Sequence, residues 1–219
     1  METKKIHIYF MPGLAASSKI FERITLPTDK FELHFLEWLL PVSVKEPIEA
    51  YAKRMAAQVV EINPVLIGVS FGGILVQEMS RYLTPRKIII ISSVKSRSEF
   101  SKRLKLIHKT KAYKLFPSKL VSNIGNFSSI VFGQLPKKRL ALYNKYLSVR
   151  DPIYLTWAIG QVLNWQPSPP LKNIVHLHGN NDHIFPIKNI KNCIVIEKGT
   201  HIMILTKYKK ISNIISKLF

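Results

Sequence analysis

The stretch that decides the fold is Val65–Met79, VLIGVSFGGILVQEM, where one serine, Ser70, stands among glycines at the point an apolar run changes its rhythm. The chain has nine glycines in 219 residues, yet Gly68, Gly72 and Gly73 all lie within three residues of Ser70. Upstream, PVLIGVS (Pro64–Ser70) reads as a short buried strand; downstream, GGILVQEMSRYL has helical spacing and stops before Pro85. A G-x-S-x-G pentapeptide between strand and helix has a physical reason. The serine occupies a sharp, strained turn, and side chains two positions to either side would collide with it.

The same alternation runs outward in both directions. KIHIYF (Lys5–Phe10) and FELHFLEW (Phe31–Trp38) have strand character, with a short helix expected near Ser17–Ile24 between them. EPIEAYAKRMAAQVV repeats apolar residues at helical spacing, with Pro47 suited to a first turn. RKIIIISSV (Arg86–Val94) is the most apolar strand, as expected near a sheet's centre. From Lys95 to Pro170 the pattern turns helical, broken at Pro117, NIGN, Pro136 and Asp151–Pro152, and it ends in NWQPSPP. NIVHLHGN and NCIVIEKG then resume the strand rhythm, and IMILTKYKKISNIISKLF closes as a helix. Strands alternating with helices predict an α/β fold with a mostly parallel central sheet flanked by helices. The chain reads as a single domain over 1–219: a core of 1–94 and 171–219, with a helical insertion at 95–170.

Composition narrows the function. Apolar residues make up 47% and charged residues 21%, a globular balance. No apolar run reaches the ~18 residues of a membrane span. The start, METKKIHIYFMPGLAAS, mimics a signal peptide, but its apolar patch is short and interrupted by His7 and Pro12. The single cysteine, Cys193, excludes an intrachain disulfide framework and fits a reducing compartment, so a cytoplasmic location is expected. The net charge is +20, and Lys95–Asn173 holds fifteen Lys/Arg against two Asp/Glu. Those lysines are spaced among apolar residues as on amphipathic helices. No nucleic-acid-recognition signature accompanies them, and specific nucleic-acid binding is not expected.

These residues together resemble the α/β-hydrolase superfamily, over essentially the whole chain. The family's triad runs nucleophile, acid, histidine along the sequence. Its acid follows the penultimate strand, often as H-G-x-x-D-x-x-x-P, which HGNNDHIFP (His178–Pro186) matches with Asp182. Its histidine follows the last strand, often after a glycine, and EKGTHI offers His201. The resemblance thus implies catalytic Ser70, Asp182 and His201. It also implies an oxyanion hole formed by the backbone N–H groups of Phe71, after the nucleophile, and Leu14, in the loop MPGLAASS after the first core strand. In that loop Met11-Pro12 precede Gly13, where the family commonly carries a histidine.

The chemistry stands on the residues as well. A serine hydroxyl needs a base to become a nucleophile, and an imidazole titrating near ~6.5 suits that task. A buried carboxylate holds the right tautomer. Other assignments compete: His183 as base, Glu197 as acid, or His176 and His178, which share a strand face, as a metal pair; with no further ligand cluster nearby, packing or turn roles suit those two histidines better. The resemblance implies hydrolysis of a carboxylic ester or thioester through an acyl-enzyme, with a small-molecule acyl substrate, no metal and no organic cofactor. The same fold also hosts acyltransferases, lyases and non-catalytic binding proteins. The insertion resembles the family's substrate-shaping caps, and its aromatics Phe127, Phe132, Tyr154, Trp157 and Trp165 are candidate pocket walls. Its lysines suit either an anionic substrate or a solvated face. Neither the substrate's identity nor the oligomeric state is legible in the sequence.

Overall fold

The computed structural model describes residues 5–111, 141, 145–167, 171 and 173–219. Six strands form one sheet in the order β2-β1-β3-β4-β5-β6. They are β1 (Ile6–Met11), β2 (Phe31–Phe35), β3 (Val65–Val69), β4 (Lys87–Ile91), β5 (Ile174–Gly179) and β6 (Ile194–Ile196). Every pairing is parallel. Parallel neighbours require crossovers that cover both faces, which is why the central strands lack alternation. VLIGV of β3 is buried throughout, and Ile88–Ile91 of β4 are at most 8% exposed. Each such isoleucine contributes about 1.5–3 kcal/mol relative to an exposed one.

The helices follow their apolar spacing. In α1 (Ile48–Ala56), Ile48, Tyr51, Ala52, Met55 and Ala56 are buried, one stripe at i, i+3, i+4, i+7 and i+8, with Pro47 as its N-cap residue. All nine residues of α2 (Phe71–Met79) are buried, which explains its weak polar face. Beyond β4 come α3 (Lys102–Thr110) and α4 (Pro152–Asn164), the latter capped by Asp151, whose carboxylate accepts from Tyr154 N–H at 2.9 Å. The closing helix is broken into α5 (Met203–Thr206) and α6 (Tyr208–Lys217). No helix among the described residues is long and apolar enough to cross a membrane.

The strand order places the site. From β1 the chain steps outward to β2, then returns past β1 to β3 and proceeds the other way. The loops leaving β1 and β3 therefore diverge at the carboxyl edge of the sheet, and a crevice at such a switch point is where open α/β sheets bind ligands. Ser70 leaves β3 and Gly13 lies just past β1.

Candidate active site

Ser70 has φ 53° and ψ −118°, a left-handed conformation costing a non-glycine residue about 1–3 kcal/mol. Its surroundings hold it there. Ser70 N–H donates to Ile91 O at 2.9 Å, while its carbonyl accepts from Gly73 N–H at 2.9 Å and from Ser93 Oγ at 2.7 Å. Gln77 Nε2 fastens the next turn, donating to Gly73 O (2.8 Å) and Val94 O (2.9 Å). The glycines serve close approach. A Cβ on Gly68 would overlap the Gly72 carbonyl, and one on Gly72 would overlap the carbonyls of Met11 and Pro12. The turn is thereby pressed against the loop that leaves β1.

His201 lies 131 residues away in sequence, and its Nε2 stands 2.8 Å from Ser70 Oγ. His201 Nδ1 is 2.9 Å from Asp182 Oδ2. Asp182 accepts only, so Nδ1 carries the proton and Nε2 turns its lone pair to the serine. Asp182 Oδ1 accepts from Ile184 N–H at 2.9 Å and Phe185 N–H at 3.0 Å. Burial alone would raise the carboxyl's pKa, but the His201 imidazole and these donors outweigh it and hold it below the ordinary value. The acid-bearing and histidine-bearing loops dovetail, since a Cβ on Gly179 would overlap the Gly199 carbonyl, which accepts from Asn181 N–H at 2.8 Å.

Behind the acid lies a layer made by the two strand-face histidines. His178 Nε2 donates to Phe185 O at 2.8 Å and stands 3.7 Å from Asp182 Oδ2. His178 Nδ1 then accepts from His176 Nε2 at 3.1 Å. The two histidines share a strand face, as alternation requires, but they are bonded to each other. Burial pushes both imidazole pKa values down, with His178 and Lys95 adding to the effect at His176. Of the other competitors, His183 is exposed and Glu197 is an exposed partner of Asn180 Nδ2 at 2.5 Å. Ser92, a further serine near the elbow, is fully buried.

The loop Gly13–Ser17 faces Ser70 and is clamped from outside. Gly13 O accepts from Trp38 Nε1 at 3.0 Å, and Ala15 N–H donates to the Tyr154 hydroxyl at 3.2 Å. Ala15 O accepts from Ser148 and Val149 N–H, and Ser17 N–H donates to Tyr146 O. Leu14 sits inside this clamp; Phe71 supplies the first N–H of α2, a helix end whose donors lack intrahelical partners.

A small cleft adjoins Ser70 and His201 and is walled by Ile20, Val69, Ile202, Ile204 and Leu205. Among the described residues these walls come from the core, not from Tyr154, Trp157 or Trp165. Trp157 is 1% exposed, donates to Glu46 O at 2.8 Å and packs on Tyr51 and Phe71. Trp165 Nε1 donates to Glu78 Oε1 at 2.8 Å, and Tyr154 is fully buried beside Trp38. All three are packing residues. Phe127 and Phe132 lie outside the described residues. The sequence signal for the walls was the apolar IMIL that directly follows His201.

No protein-family model and no curated protein matches the sequence. Solved structures do match in fold. A thermophilic esterase from Thermogutta terrifontis aligns with TM-score 0.72 at 15% identity, covering 98% of this chain and 89% of its own. A lipase-esterase related protein from Clostridium acetobutylicum aligns with TM-score 0.67 at 15% identity over 100% and 96%. An alpha/beta hydrolase fold protein from Burkholderia ambifaria gives 0.65 at 14% identity over 97% and 90%.

Proposed function

We infer that this chain, which has the α/β-hydrolase fold, is a serine hydrolase that cleaves a carboxylic ester or thioester of a small molecule through an acyl-enzyme on Ser70. The observation that carries this reading is the continuous line Ser70 Oγ–His201 Nε2 at 2.8 Å and His201 Nδ1–Asp182 Oδ2 at 2.9 Å. It ends on a serine at a strained strand-to-helix turn and opens on an apolar cleft.

In the first half-reaction His201 Nε2 takes the Ser70 proton as Oγ attacks the acyl carbon. In this scheme the oxygen that gains charge is held by the backbone N–H groups of Phe71 and Leu14. His201, now an imidazolium stabilised by Asp182, returns the proton to the departing alcohol or thiol. Water, activated by the same imidazole, then releases the acid and restores Ser70. The apolar walls Ile20, Ile202 and Leu205 favour an acyl group of hydrocarbon character. In this scheme α4, which belongs to the Lys95–Pro170 insertion read as a substrate-selecting cap, braces the Leu14 loop through Tyr154.

A fluorophosphonate is expected to label the chain once, on the peptide bearing Ser70, and Ser70→Ala to abolish both labelling and turnover of a panel of p-nitrophenyl esters and acyl thioesters. Labelling that persists in Ser70→Ala refutes the assignment. Release of free acid, measured against transfer to an added alcohol, separates hydrolysis from acyl transfer.

A further inference from the structure

At the far end of the sheet from Ser70, two strands bring together donors that the reaction above does not use. Glu32 and His34 are two apart on β2 and so share a face. The parallel register sets His7 of β1 opposite Glu32, and Tyr9 opposite His34. His7 Nδ1 and His34 Nε2 stand 3.0 Å apart. The Glu32 carboxylate is 4.0 Å from each of these nitrogens, by one oxygen to His7 and by the other to His34. Among the described residues this is the one group of three His, Cys, Asp or Glu side chains whose ligand atoms lie within 4.8 Å of one another.

We propose that His7, His34 and Glu32 form a zinc-binding site that pins the edge strand β2 to β1. Two imidazoles and one carboxylate are a common donor set for Zn²⁺, with bonds of about 2.0–2.2 Å and ligand atoms therefore roughly 3.3 Å apart in a tetrahedron. The nitrogens are near that spacing. The half-exposed Glu32 side chain reaches it by rotating inward by less than about an ångström, and water completes the shell.

Two further observations favour a cation over a simple pair of hydrogen-bonded histidines. The second nitrogen of His7, Nε2, faces the Glu61 carboxylate at 3.7 Å. A carboxylate behind a ligating histidine fixes its ring and raises its basicity, and such an arrangement is unnecessary for a neutral pair. The His34 ring is also held, stacked on Tyr9 with centroids 4.4 Å apart and planes 12° from parallel. The chain carries 33 Lys/Arg against 13 Asp/Glu, so its surface repels cations in general. Two of the few acids are gathered on these two histidines.

The test is titration of the full chain, stripped with chelator, with ZnSO4 by calorimetry, alongside Co²⁺ followed by visible absorption and by melting temperature. One Zn²⁺ per chain is expected, with a rise in Tm and the absorption of tetrahedral Co²⁺. His34→Gln and the exposed-site variant Glu32→Gln should each weaken binding at least tenfold. Glu61→Gln should weaken it about 10–100-fold while leaving the stoichiometry at one. Fluorophosphonate labelling of Ser70 should be unchanged, so that failure here is separate from failure of the hydrolase reading. Each variant's melt without metal establishes that it is folded. Absence of saturable 1:1 binding, or affinity unaltered in both Glu32→Gln and His34→Gln, overturns the site.

Discussion

In the proposed triad a single oxygen atom separates a working base from a misdirected one. Asp182 Oδ1 is occupied by the N–H groups of Ile184 and Phe185, which leaves Oδ2 for His201. In Asp182→Asn the amide oxygen keeps the two backbone bonds and its NH2 faces Nδ1. The imidazole must then protonate Nε2 and loses its lone pair toward Ser70. The fold should survive, while kcat falls by about 10⁴, as measured by ester turnover alongside circular dichroism. Behind Asp182, His176 and His178 make a second residue-level prediction. Their folded pKa values lie below the unfolded value of about 6.5, so the unfolded chain binds protons that the native chain refuses. Their stabilising contribution is complete above pH ~6.5 and is lost as pH falls below it, at up to about 1.4 kcal/mol per pH unit for each histidine. Urea midpoints measured between pH 7.5 and 5 should show this slope, and His176→Phe should reduce it. Asp182 adds loss of the same sign only at lower pH, since its pKa lies below the ordinary carboxyl value.

The elements that carry Ser70, Asp182 and His201 were legible where the constraint on the sequence is local. G-x-S-x-G announces its own turn because three positions must be small at once, and VLIGV and KIIII announce burial on both faces. Packing partners were not legible. Trp157 and Trp165 were candidate pocket walls although packing is the commoner role of such aromatics, and the acceptors Glu46 O and Glu78 Oε1 decide for core. The grouping of His7 with His34 depends on the register of β1 against β2, which no short motif records. At this scale α4 invites a test, because Tyr154 reaches from it to the loop of Leu14. Tyr154→Phe removes the oxygen that Ala15 N–H meets at 3.2 Å and leaves a buried donor costing about 1–3 kcal/mol. Ester turnover should fall between about ten- and a hundredfold in kcat with KM little changed, because the proposed oxyanion donor Leu14 next door shifts. A drop confined to KM would instead make α4 a wall of the substrate pocket.

Across the whole molecule the direction of the strands was foreseen, but their order was not: the alternation of strands and helices predicts mostly parallel pairing, and the structure has every described strand pair parallel. The centre of that sheet is built from the first half of the chain, yet its site is assembled from both halves. Ser70 meets His201 across 131 residues, and the segment that carries His201 is tied back to the beginning by Arg23 to Leu205 O at 3.4 Å and by Thr25 N–H to Ser212 Oγ at 3.2 Å. Contacts of such long sequence separation require loop closure before they return any stabilisation, and chains dominated by them reach the native state slowly. Competence should therefore be the last property acquired on refolding from urea. Far-UV circular dichroism and the fluorescence of Trp38, Trp157 and Trp165 should recover first, and the capacity of Ser70 to take a fluorophosphonate should lag behind both. Labelling that keeps pace with secondary structure would mean the two halves meet early. A lag would mean that a chain still being synthesised carries Ser70 without its proposed base, and becomes competent only when the final strand and helices have brought His201 to it.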